Sequence, residues 1–152
     1  MQTEIIPYET KYAADFKKLN LEWLDKYGLT EEGDLLMLDF PEREILATGG
    51  VIYLAKIGEE IVGSSALIHE GEGVYELAKM AVNDDHKGKG ISKLLIEKCI
   101  AKAEELEAKR VYLQSNSQLT TALKLYEKYG FKHIPVENAH YVTADVMMEK
   151  EL

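Results

Sequence analysis

The sequence predicts an α/β (α+β) fold, a mixed and mostly antiparallel sheet of six to seven strands flanked by about four helices. Three observations lead there. The hydrophobic period is near 3.6 in the first third of the chain, switches to 2 after the pair Gly49 and Gly50, and then alternates between the two values. Three consecutive strand-like runs separated only by short turns call for antiparallel neighbours, whereas the later strands are separated by helical stripes. No linker, internal repeat or low-complexity segment interrupts the pattern, and 152 residues suffice for a core without staples, so residues 1–152 are expected to form one domain.

The elements follow in order. Residues 3–8, TEIIPY, suit an edge strand, with Pro7 near its end because proline cannot donate to a ladder. From Ala13 to Tyr27 the residues Ala13, Phe16, Leu19, Trp23 and Leu24 recur three and four apart, and Gly28 supplies a stop. EEGDLLMLDFPEREIL reads as a second helical region broken near Pro41, because the residue before a proline resists the helical conformation. GVIYLAKIGEEIVGSSALIHE holds two apolar runs around Gly58, Glu59 and Glu60, a hairpin, and the turn EGEG leads to a third strand, VYELAKMAV. A helix from Ile91 to about Leu106 shows its stripe in Ile91, Leu94, Leu95, Cys99 and Leu106. RVYLQS is a strand, QLTTALKLYEKYG a helix closed by Gly130, and FKHIPV and HYVTADVMMEK are the last strands.

Composition narrows the classes of function. The chain is 46% hydrophobic and 30% charged, as globular proteins are, and no apolar run approaches the roughly 20 residues that span a bilayer. Eighteen basic against 27 acidic residues give a net charge of -9, so neither nucleic acid nor a membrane is expected as a partner. The segment MQTEIIPYETKY lacks the pattern of an export signal, which makes the cytoplasm the expected location. Cys99, between Ile96 and Ile100, reads as a small buried hydrophobe rather than a nucleophile. His69, His133 and His140 have no metal-ligand spacing, and no metal is expected.

The residues with the strongest chemical content lie in HKGKGISKLLIEKCIAKAEEL, residues 86–106, where two glycines one lysine apart immediately precede a helix. Glycine is costly there unless the backbone must turn sharply or admit a close ligand. A P-loop does not fit, and Lys93 stands where a Rossmann fingerprint needs its third glycine. The general physics remains: backbone N–H groups at a helix start favour an anion such as phosphate, and Lys87, Lys89 and Lys93 add positive charge. Two glycines alone fit a plain turn before a helix better than a ligand site.

The surroundings decide. YELAKMAVNDDHKGKGISKLL, followed after one helix by VYLQSNSQLTTALKLYEKYGF, resembles the two core motifs of the GNAT superfamily of acyl-CoA-dependent N-acetyltransferases. In that family a basic or amide residue and two small residues of a loop bind the pyrophosphate of coenzyme A. The matching positions here are Lys87, Gly88, Lys89, Gly90, Ile91 and Ser92, with Lys87 where Gln or Arg is usual and Ser92 in place of the final Gly or Ala. The second motif is met by Asn116, Ala122, Tyr126, Gly130 and Phe131. The resemblance covers roughly residues 74–131, and the family fold agrees with the meander before it and the strands after it.

The resemblance implies acetyl-CoA as co-substrate, no metal, and direct transfer of the acetyl group to a primary amine on a small molecule or peptide. The pantetheine arm would lie beside Met80, Ala81 and Val82, where a backbone N–H polarises the thioester oxygen. Tyr126 would protonate the departing thiolate, although Ala122, Leu125, Tyr126 and Tyr129 also make an ordinary apolar helix face. Glu76 would act as base, alternation placing it on one face with Ala78 and Met80; a solvated strand face or a pairing with a lysine accounts for it equally well. Asn116 would bond the cofactor arm, or cap a helix beginning near Ser117. His140 and Tyr141 would border the acceptor pocket. Dimerisation is common in the resembled family, so a homodimer is compatible with it. The alternative is a non-catalytic acyl-CoA-binding sensor; a nucleotide-binding protein and a transferase of longer acyl groups rank behind it.

Overall fold

The computed structural model describes residues 2–152. Its strands are β1 (Thr3–Pro7), β2 (Val51–Ile57), β3 (Glu60–Gly71), β4 (Val74–Val82), β5 (Arg110–Ser115), β6 (Lys132–Ile134) and β7 (Val146–Glu151). They make one sheet in the order β1-β2-β3-β4-β5-β7-β6. Every neighbouring pair is antiparallel except β4 and β5, which are joined by a helical crossover and run parallel.

Helices cover both faces. On one lie α1 (Ala13–Lys26), α2 (Glu32–Asp39) and a π-helical turn (Glu42–Leu46), whose Phe16, Leu19, Leu38 and Ile45 bury against Ile52, Leu54 and Ala66. On the other lie α3 (Ile91–Glu105) and α4 (Thr120–Lys128), whose Leu95, Ile96, Cys99 and Tyr126 meet Val62, Leu77 and Leu113. The break at Pro41 falls as the sequence predicts: Phe40 leaves the helical region at φ -132, ψ 56 and ends α2.

Three sequence expectations are corrected. HYVTADVMMEK is a strand only from Val146, because the Glu31 carboxylate holds the loop before it, accepting from the N–H groups of Val142 (3.0 Å) and Thr143 (2.9 Å) and from the Thr143 hydroxyl (2.6 Å). FKHIPV contributes only Lys132–Ile134, an edge strand that stops before Pro135. The last helix starts at Thr120, not near Ser117, and Asn116 does not cap it. Asn116 Oδ1 accepts from the Gln118 N–H (3.0 Å) and its Nδ2 donates to the Thr143 carbonyl (2.8 Å), so it ties two loops together.

A fourth correction bears on function. Ala66 faces Ala78 but Ser64 faces Ala81, so Lys79 and Met80 together oppose the single residue Ser65, and Lys79 takes φ +54. This is a β-bulge, and it breaks the alternation that would have put Met80 beside Glu76. Met80 instead packs on the α3 side, whereas Ala78 and Ala81 lie in the cluster beneath α1. A positive φ at a lysine costs on the order of 1 kcal/mol. Lys79 is held there from both ends: its carbonyl accepts from the Ser64 hydroxyl (2.6 Å), which accepts from Asn20 Nδ2 (3.0 Å), and its ammonium lies 2.5 Å from Asp34 Oδ1 of α2.

Candidate active site

The parallel pairing of β4 with β5 lasts only from Val74–Glu76 to Arg110–Tyr112. Past that point β4 is bonded to β3 and β5 to β7, and a cavity of about 670 Å³ opens along the parted strands, within the usual range of small-molecule sites. Met80, Ala81 and Val82 line it from β4, Asn116 from beyond β5 and Tyr126 from α4. Lys87, Gly88, Gly90, Ile91 and Ser92 line it from the loop before α3. Lys89 is the one loop residue of the sequence prediction that does not; its ammonium lies 3.0 Å from His86 Nδ1. Lys87 is paired with Asp84 at 2.8 Å.

The glycines are needed for their backbone conformation. Gly88 and Gly90 have φ of +81 and +78, and a Cβ at either position would meet nothing within 4 Å. Gly90 is the residue from which α3 starts: the Leu94 N–H donates to its carbonyl at 3.3 Å. Among the described residues, the N–H groups from Gly88 to Lys93 find no acceptor, so they and the helix dipole present an uncompensated positive potential at the cavity.

Glu76 is buried, 2% exposed, on the stretch of β4 where the strands begin to part. Desolvation is the largest influence on it and pushes its pKa up to about 7, although the Gln114 amide, donating to Oε2 at 2.9 Å, works the other way. Tyr126 is buried with its ring against Phe131, and desolvation pushes its phenol up to about 12. Among the described residues its hydroxyl has no hydrogen-bond partner. The two side chains line the same cavity. Cys99 is a core thiol, as its neighbours suggest: burial pushes it up to about 12 and it donates to Ser65 Oγ.

Sequence reasoning did not single out Asp34, Lys79, Gln114 or Glu31. Asp34 and Lys79 line the cavity as a buried ion pair, and the Lys79 ammonium sits 5.4 Å from the centre of the Tyr141 ring. The only sequence signal for them was a lysine in the middle of a buried strand. Tyr141 lines the cavity, its phenol raised first by desolvation and then by Asp34 and Glu76; His140 does not line it.

A mixed sheet parts at its one parallel pair, with bare helix-start amides beside the gap, an α/β architecture whose strand-to-helix turn has the electrostatics to seat an anion. The family follows from comparison. Residues 16–131 match the family model described as Acetyltransferase (GNAT) family, and the chain belongs to that family. It is 30% identical over 121 residues to the uncharacterized N-acetyltransferase YvbK of Bacillus subtilis, covering 78% of this chain and 77% of that one. It is 32% identical over 107 residues to N-acetylaspartate synthetase of Xenopus tropicalis, covering 70% of this chain and only 40% of that protein; the chain thus spans about two fifths of that relative's length. Its fold matches a GNAT acetyltransferase of Staphylococcus aureus Mu50 with a TM-score of 0.90 at 23% identity over 99% of both chains. It also matches PaiA N-acetyltransferase of Thermoplasma acidophilum, solved in complex with coenzyme A, with a TM-score of 0.79 at 17% identity over 100% of both.

Proposed function

We propose that the protein is an N-acetyltransferase that moves an acetyl group from acetyl-CoA to a primary amine by direct attack in a ternary complex. The observation that carries this reading is the convergence of Glu76, Tyr126 and the bare amides of Gly88 and residues 90–93 on one cavity. The complex of a fold neighbour with coenzyme A supports the choice of co-substrate. The residues suit it: unpaired N–H groups and Lys87 offer a seat for the pyrophosphate, and the parted strands offer an apolar slot for the pantetheine arm. Acetyl-CoA supplies the activated thioester, and the chain binds, orients and moves protons. No metal is assigned to the transfer step.

A backbone N–H near Met80 or Ala81 polarises the thioester carbonyl. Glu76, poised at about 7, takes the proton that the attacking amine must lose as the N–C bond forms. Tyr126 keeps its proton throughout the pH range in which Glu76 becomes charged, and donates it to sulfur as the C–S bond breaks. The acceptor is a small-molecule or peptide amine entering beside Tyr141, the enzyme acts in the cytoplasm, and a homodimer is the assembly to look for.

Calorimetric titration with acetyl-CoA and, separately, ATP, followed by thiol release across a panel of amines, tests the reading. Acetyl-CoA binding with amine-dependent release is expected, and Tyr126→Phe should lower kcat by roughly tenfold or more with little change in acetyl-CoA affinity. Binding without release from any amine would favour an acyl-CoA sensor. No binding would leave the glycine loop a plain turn.

A further inference from the structure

Three metal-ligating side chains, one of them the proposed base Glu76, converge from distant parts of the chain. Glu70 stands at the exposed end of β3, Glu76 on the facing part of β4 and His140 on the loop ahead of β7; one carboxylate or imidazole atom from each lies within 4.8 Å of the other two. Gln114 of β5 donates from Nε2 to Glu76 and accepts at Oε1 from the His140 backbone N–H at 2.7 Å, so it ties the loop that carries His140 to the strand that carries Glu76. Glu76 is 2% exposed and Gln114 is its only hydrogen-bond donor among the described residues, which leaves its second oxygen unpaired and open to the cavity.

We propose that Glu70, Glu76 and His140 form a binding site for one divalent transition-metal ion of the zinc type, and that its occupancy silences the transferase by occupying Glu76. The donor set chooses the ion. Two carboxylate oxygens and one imidazole nitrogen, with water in a fourth place, suit Zn²⁺, whereas Ca²⁺ calls for six to eight oxygens and Mg²⁺ retains most of its waters. Tetrahedral ligands at about 2.0–2.2 Å from zinc stand roughly 3.4 Å apart, so closure from 4.8 Å asks for rotamer changes at Glu70 and His140, both of which are exposed. Binding makes and breaks no covalent bond in the substrates: the Glu76 lone pair that would take the amine's proton is donated to the metal instead. The binding half of the proposal is independent of the acetyltransferase reading, and the inhibitory half rests on it.

Untagged protein stripped with a chelator is titrated calorimetrically with Zn²⁺ and with Mg²⁺, alongside Glu70→Gln and His140→Ala. The expected result is one Zn²⁺ per chain, no comparable Mg²⁺ uptake, and an affinity at least about tenfold weaker in each variant. Formation of acetylated amine, followed by mass so that thiol chelation does not intrude, should fall in the wild type as Zn²⁺ saturates. Glu70→Gln should retain the metal-free rate and need at least about tenfold more Zn²⁺ to lose it. No Zn²⁺ uptake, or equal affinity in all three proteins, overturns the site. One Zn²⁺ bound at these residues with the rate unchanged overturns the inhibition and, with it, the role of Glu76, while leaving acetyl transfer itself standing.

Discussion

Replacing Glu76 with glutamine should stabilise the protein while removing its base, and the stabilisation should depend on pH in a direction that the structure fixes. Burial raises the carboxyl from its ordinary 4.5 to about 7. At about 1.4 kcal/mol for each pH unit, that rise amounts to roughly 3 kcal/mol. Below about pH 4.5 the group is protonated in both the folded and the unfolded chain and contributes no difference. Between there and about pH 7 the unfolded chain ionises while the folded one holds its proton, so the folded state loses those roughly 3 kcal/mol as pH rises, and nothing more above pH 7. Glutamine does not ionise and can still accept from Gln114 Nε2. Urea unfolding of wild type and Glu76→Gln from pH 4.5 to 8 should therefore show near-equal stability at the acid end and a gap opening to roughly 3 kcal/mol in favour of the variant by pH 8. Over the same range the wild-type kcat should rise through an apparent pKa near 7, and the variant should lose about 10²-fold or more and the pH rise with it. A stability gap that does not change with pH, or a variant less stable at pH 8, would refute the buried-base reasoning.

Two further substitutions test the scaffold. Asp34→Ala leaves the Lys79 ammonium, 7% exposed, without its counter-charge and should cost about 3–5 kcal/mol in urea unfolding; adding Lys79→Met should recover most of that loss. Gly90→Ala should cost about 1 kcal/mol and weaken acetyl-CoA binding, with Gly90→Asn milder in both, because the position demands φ +78 rather than space; calorimetric titration and thermal melts of the two variants rank them.

The sequence was most informative where a local rule acts alone. The period of α1, the proline break after α2 and the β2–β3 hairpin were legible because propensity, turn chemistry and burial agree there. Gly88, Gly90, Ile91, Ser92 and Tyr126 stood out through the spacing of two motifs and Glu76 as an acidic residue in an apolar strand, and all of them line one cavity. What escaped was everything decided between distant residues. The strand expected at 140–145 is absent because Glu31, more than a hundred residues earlier, outbids a ladder for the N–H groups of Val142 and Thr143. Its carboxyl is held low because those bonds outweigh the desolvation that acts against them. The Glu70, Glu76 and His140 cluster escaped for the same reason: its members share no helix and no regular spacing.

Lys79 shows why such a site is hard to read from one dimension and why it is built as it is. A glycine in its place would relieve the positive φ, yet the chain carries a lysine there and buries it. A buried ion pair is weak support for stability once desolvation is counted, so the gain over glycine is better sought in position. The Lys79 side chain links α2, through Asp34, to the bulge in β4 and lies over Tyr141 of the far loop, while Asp34 Oδ2 accepts from the Glu31 N–H and Glu31 grips that same loop. One residue thus breaks the strand's alternation, which sends Glu76, Ala78 and Ala81 to the α1 side and Met80 to the other, and ties together the segments that wall the cavity. Loss of the Asp34 partner should therefore raise the KM for the amine more than that for acetyl-CoA, because the pairs it anchors hold α2 and the 140–145 loop and not the amides before α3.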